Sequence, residues 1–112
     1  MYTLTQLAAY LGVHMTTVSH WVSRGKIKAI TVDGNNKHKF ITKDEFERFK
    51  NDNPKYKHVG SPSIVIMQLH YKRDQINYEL ENSELNRHDR YDLEEELRVV
   101  KRRLYILNKM VK

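Results

Sequence analysis

The chain has 112 residues, enough for one compact domain with an appendage. Its formal net charge is +6, which favours polyanionic partners. It has no cysteine, which excludes disulfides and cysteine-ligated zinc and suits a reducing cytoplasm. No apolar run approaches the roughly 18 residues a bilayer span needs, and no secretory signal precedes Met1-Tyr2-Thr3-Leu4, so a cytoplasmic location is expected.

Thr5 to Arg24 is the most informative stretch. Leu4, Leu7, Ala8 and Leu11 fall at helical spacing, and Ala8 and Ala9 are small enough to admit a second helix closely. Thr5 can cap this helix, and Thr3 with Gln6 offers a capping box as an alternative. Gly12 supplies the left-handed conformation that ends it. In the second helix Val18, Trp21 and Val22 make the inner face. Met15, Thr16, Thr17, Ser19, His20 and Ser23 are left on or near the outer one, and Gly25 closes the helix. Two short helices around a glycine corner have the layout of a helix-turn-helix, whose second helix can lie in a DNA major groove.

Lys26 to Val32 then alternates polar with apolar, as a strand does. Asp33-Gly34-Asn35-Asn36 predicts a turn, and Lys37-His38-Lys39-Phe40-Ile41 the return strand of a basic hairpin. Thr42 with Glu45 signals the start of a third helix, whose apolar face carries Phe46 and Phe49. That order of elements predicts a winged helix.

Residues 4 to 50 resemble the winged helix-turn-helix of the excisionase and MerR-like superfamily. The resemblance is carried by Leu7-Ala8-Ala9-Tyr10-Leu11-Gly12-Val13, Thr17-Val18, His20-Trp21-Val22, Ser23-Arg24-Gly25-Lys26-Ile27 and Ile41-Thr42-Lys43-Asp44-Glu45-Phe46. It implies that the second helix enters the major groove through Met15, Thr16, Thr17, Ser19, His20 and Ser23. The wing and its flanks, Thr5, Arg24, Lys26, Lys37, His38 and Lys39, would then hold the backbone or the minor groove. Family members often open the second helix with Ser followed by Arg or Lys. Here those places hold His14, Met15 and Thr16, and no Arg or Lys precedes Arg24. The usual bidentate Arg–guanine contact is therefore missing, and apolar contact with thymine methyls is expected instead.

Residues 1 to 60 carry ten Lys/Arg against five Asp/Glu, whereas residues 61 to 112 carry ten against nine, so the excess positive charge sits on the winged-helix half. Residues 51 to 63 hold Pro54, Gly60 and Pro62 and are expected to be a linker. Residues 64 to 112 lack Pro and Gly and are helical in pattern. Leu93, Leu97, Val100, Leu104, Leu107 and Val111 recur at spacings of four and three, a heptad seam expected to oligomerise the chain. The step from Leu80 to Leu93 breaks the heptad, leaving two shapes: a helical hairpin turning near Asn86-Arg87-His88-Asp89, or one long interrupted helix. Acidic Asp92, Glu94, Glu95 and Glu96 followed by basic Arg98, Lys101, Arg102 and Arg103 favour a fresh helix start.

The expected fold is mainly α: a winged helix-turn-helix (1–50) with a small two-stranded wing, a linker (51–63), then a helical hairpin or coiled coil (64–112). The expected partners are double-stranded DNA and a second copy of the chain. No catalytic or phosphate-binding motif occurs and the six histidines lack metal-ligand spacing, so no enzyme activity, metal, cofactor, small-molecule ligand or membrane is expected. Three roles fit: a small transcription regulator, an architectural excisionase, and a packaging or segregation protein anchored by its winged helix. An adaptor that has lost DNA binding is a fourth.

Overall fold

The computed structural model describes residues 1–32 and 38–111. Two compact units divide the chain, Met1–Val59 and Gly60–Lys112.

In the first unit, β1 (Tyr2–Thr3) leads directly into α1 (Leu4–Leu11). Thr3, not Thr5, is the N-cap. Its hydroxyl accepts the Gln6 N–H at 3.0 Å, and the Gln6 side chain accepts the Thr3 N–H at 3.0 Å, a complete capping box. Thr5 lies inside the helix. Gly12 ends α1 at φ 73°, donating to the Ala8 carbonyl at 2.9 Å.

Helix α2 (Met15–Ser23) closes with a Schellman motif. The Lys26 N–H reaches the Trp21 carbonyl at 2.9 Å and the Gly25 N–H reaches that of Val22 at 3.1 Å, with Gly25 at φ 74°. This motif occupies Arg24 to Ile27, so the strand expected from Lys26 to Val32 shortens to β2 (Ile30–Thr31). Lys26 and Ile27 are spent on satisfying helix carbonyls, and of the alternating apolar positions Ile27 drops into the core at 1% exposure while Ile30 and Val32 stay exposed.

β3 (Lys39–Ile41) is the middle strand of a three-stranded antiparallel sheet in the order β1-β3-β2. Ile30 pairs with Phe40 and Thr31 with Lys39, while Tyr2 pairs with Ile41 and Thr3 with Phe40. The expected two-stranded wing therefore gains a third strand from the chain start, where two residues are too few to show a period. Helix α3 (Lys43–Asp52) follows, capped by Thr42, whose hydroxyl accepts the Glu45 N–H at 3.1 Å.

Leu7, Val18, Ile27, Ile41, Phe46 and Phe49 are each at most 1% exposed and form the core. Two aromatic groups extend it. Tyr2 packs edge-on to Tyr10 and Phe46, with ring centres 6.0 and 5.4 Å away. Trp21 packs on Phe49 at 4.7 Å and on Tyr56 at 5.6 Å. Tyr56 belongs to a 3₁₀ turn at Pro54–Tyr56, within the stretch expected to be a linker.

The second unit is a helical hairpin of α4 (Pro62–Asn82) and α5 (Arg87–Met110). Ser61 caps α4 with Pro62 in its first turn, and Asn86 caps α5 by accepting the Asp89 N–H at 2.8 Å. The connection is Ser83 to Asn86, and Arg87 already belongs to the second helix. The ion pair Lys72–Glu96 at 2.7 Å and the bond from Arg90 to the Leu80 carbonyl at 3.1 Å set the antiparallel register. Val65, Leu69 and Ile76 of α4 and Val100, Leu104 and Leu107 of α5 are buried.

Candidate nucleic-acid interface

His14 opens α2 in an unusual way. Its Nδ1 accepts the Thr16 N–H at 3.2 Å and lies 2.8 Å from the Thr16 hydroxyl, so an imidazole does the work of the usual Ser or Asp cap. The helix is then held by its buried face. Val18 is wholly buried, and Trp21 is fixed by Phe49 and Tyr56. With those side chains turned inward, helical spacing leaves two outward rows, Met15-Ser19-Ser23 and Thr16-His20.

Met15, Thr16, Ser19, His20 and Ser23 are all exposed, and Thr17 is half-buried. Met15 keeps 49% of its surface open, a large apolar side chain on a polar face. Thr5 is half-buried, and its hydroxyl donates to Met15 Sδ at 3.3 Å. This bond ties α1 to the start of α2 and orients Met15.

The basic residues lie on the segments leading away from α2. Arg24, Lys26, Lys28, His38 and Lys39 are exposed. The Thr31–Lys39 pairing puts Lys39 on the edge pair of the wing strands. Lys37 and the turn expected at Asp33 to Asn36 lie outside the described residues.

The wing is fastened at its base by residues that sequence reasoning did not assign to the site. Glu45 accepts the Lys28 backbone N–H at 2.6 Å and receives Arg48 at 2.6 and 2.7 Å. Arg48 also reaches Asp52 at 2.8 Å and the Lys26 carbonyl at 3.1 Å. The Arg48 hydrogen bond and the Lys28 N–H hold the Glu45 carboxyl far below its ordinary value of 4.5, at about 2. Arg48 is thus committed to the fold, its charge neutralised by two carboxylates. Lys28 is hydrogen-bonded to the clamp through its backbone, and its exposed ammonium adds a further attraction to the Glu45 carboxylate. The one sequence signal for this clamp was Glu45 three residues after Thr42, which reads as a capping box. The structure keeps the threonine arm of that box and directs the carboxylate to Lys28 instead.

The residues expected to oligomerise the chain divide in their placement. Val100, Leu104 and Leu107 are buried, Leu93 and Leu97 are half-buried, and Val111 is exposed, just past the end of α5. Helix α4 packs along α5 within the same chain and covers the middle of this seam, Val100, Leu104 and Leu107. Among the described residues no three His, Cys, Asp or Glu side chains gather as a metal site, and no helix is long and apolar enough to cross a membrane.

Residues 1–54 match a family described as a helix-turn-helix domain, just under half of the chain. Neither a curated protein nor a solved structure matches it. The family match and the exposed outer face of α2 agree that these residues form a helix-turn-helix DNA-binding domain.

Proposed function

We propose that this protein is a sequence-specific, double-stranded-DNA-binding regulator of the MerR-like or excisionase-like type, non-enzymatic, working in the cytoplasm as a dimer. The observation that carries the reading is the division of α2: Val18 and Trp21 are turned into the core while Met15, Thr16, Ser19, His20 and Ser23 stand in solvent. A surface helix needs its inner face only for packing. An outer face of short polar side chains around one exposed methionine can enter a major groove without steric conflict.

In this reading α2 supplies base contacts, and Arg24, Lys26, His38 and Lys39, with Lys37 beside them in sequence, supply phosphate or minor-groove contacts. The backbone contacts provide affinity and salt dependence, and α2 provides sequence preference. The helical hairpin would bring two winged helices to adjacent sites, raising apparent affinity without new contacts to DNA.

Fluorescence anisotropy on duplex DNA at two salt concentrations, paired with a footprint on the DNA flanking its own gene, tests the reading. A protected site and an affinity that falls steeply with salt are expected. Equal, salt-insensitive binding to all duplexes, or none, would favour an adaptor role instead.

A further inference from the structure

Helix α4 is apolar on two opposite faces. Val65, Leu69 and Ile76 are buried in the hairpin. Ile64, Met67, Tyr71 and Tyr78 stand on the other side, 46%, 67%, 66% and 67% exposed. At about 100° per residue these four fall within an arc of about 60°, roughly half a turn from the buried set. Together they present about 500 Å² of mostly apolar surface, at the upper end of what a monomer normally leaves open in one patch. A helix apolar on both sides is expected to be covered on both.

We infer that this outer face of α4 pairs with the same face of a second copy, antiparallel about Tyr71. The inference deepens the proposed dimer and places its contact on α4, because the middle of the α5 seam, Val100, Leu104 and Leu107, is already buried in the hairpin. Three features select a second copy as the occupant. Ile64 and Tyr78 are each seven residues from Tyr71, so a two-fold axis at Tyr71 sets Ile64 of one copy against Tyr78 of the other at both ends. Two such faces bury about 1,000 Å², the lower limit for a specific interface.

Charge complementarity is the third. Helix α4 has no acidic residue in its first turn and no basic residue in its last, and Glu79 and Glu81 lie near its negative end, against the helix dipole. The antiparallel partner brings those glutamates level with Ser61 and Ser63 at its own positive end. Asp74 stands about 20° outside the arc, and Arg73 already pairs with it at 3.2 Å.

Sedimentation equilibrium of the full chain at tens of micromolar tests the pairing, with circular dichroism as the control for folding. The wild type is expected at twice the 13.4 kDa chain mass, and Tyr71→Glu and Met67→Glu at 13.4 kDa with unchanged helicity. If both variants stay dimeric, this face is wrong and the dimer reading stands; a monomeric wild type ends both. Because the chain has no cysteine, single cysteines report the register. Tyr71→Cys should oxidise to a covalent dimer, and Ile64→Cys should cross-link with Tyr78→Cys but not with itself. Self-linking of Ile64→Cys would mean a parallel pair and overturn the two-fold at Tyr71.

Discussion

One carboxylate oxygen of Glu45 accepts the backbone N–H of Lys28 at 2.6 Å, which ties α3 to the chain entering the wing. The same carboxylate holds Arg48, and Arg48 holds the Lys26 carbonyl, so both sides of the segment after α2 are gripped from α3. A wing strand of two residues has little sheet pairing of its own. Its direction, and with it the placement of Lys28 and Lys39, therefore depends on a side chain 17 residues away in sequence.

Glu45→Gln should destabilise the first unit by about 1.5–3 kcal/mol in urea unfolding at neutral pH, the range for a hydrogen bond to a charged group. Glu45 has a folded-state pKa near 2 against an ordinary 4.5, so its contribution is full above 4.5 and is lost as pH falls toward 2. The gap between wild type and Glu45→Gln should accordingly close across that window. A gap that stays constant from pH 7 to pH 2 would mean that the ionised carboxylate is not what holds the wing.

Lys39→Ala leaves the fold intact, since its side chain is exposed. It should weaken binding to all duplexes alike and lower the slope of log K against log salt by about 1, the signature of one lost phosphate contact. If the slope is unchanged while sequence preference shifts, Lys39 reads a base.

A binding-site selection should return A/T-rich sequences, because α2 offers Met15 and threonine methyls to thymine methyl groups and no arginine to guanine. Met15→Ala should relax that preference with the salt slope unchanged. Recovery of G/C-rich sites would count against the methyl-contact reading.

The parts of this fold that announce themselves in the sequence are the ones set locally. Thr3-Gln6 and Thr42-Glu45 mark helix starts, and Gly12 and Gly25 mark helix ends, because each motif is closed within one or two turns of chain. The fate of the Glu45 carboxylate was not legible, since its partner is a backbone N–H in another element. β1 was missed because two residues carry no period, and the His14 cap because imidazole is not a customary capping group. In the hairpin the apolar period from Leu93 is buried at Val100, Leu104 and Leu107, half-buried at Leu93 and Leu97, and open at Val111. A periodic apolar face states that it will be covered and does not say by what. Of the site, the outer face of α2 was readable from the positions of Val18 and Trp21, whereas the clamp that aims the wing was not.

Gly25 tests the backbone directly. At φ 74° with nothing within 4 Å of an added Cβ, its substitution meets no steric obstacle and only conformational strain. Gly25→Ala should cost about 1 kcal/mol, and Gly25→Asn less, because asparagine tolerates the left-handed region. Equal costs, read from urea midpoints, would mean that the Schellman motif is not what sets the path from α2 into the wing.

Leu104 decides between the two uses of the α5 seam. Buried in the hairpin at 5% exposure, it contributes to the stability of a single chain. Leu104→Ala should therefore lower unfolding stability of the second unit by about 2–4 kcal/mol. The loss should be the same at micromolar and at hundred-micromolar protein, because an intramolecular contact has no mass-action term. Tyr71→Glu should show the reverse pattern: little change at low concentration, where wild type and variant are both single chains, and a widening difference as concentration rises and only the wild type gains stability from pairing. If the Leu104→Ala deficit instead grows with concentration, the seam is shared between chains, and helix α4 is not its principal cover.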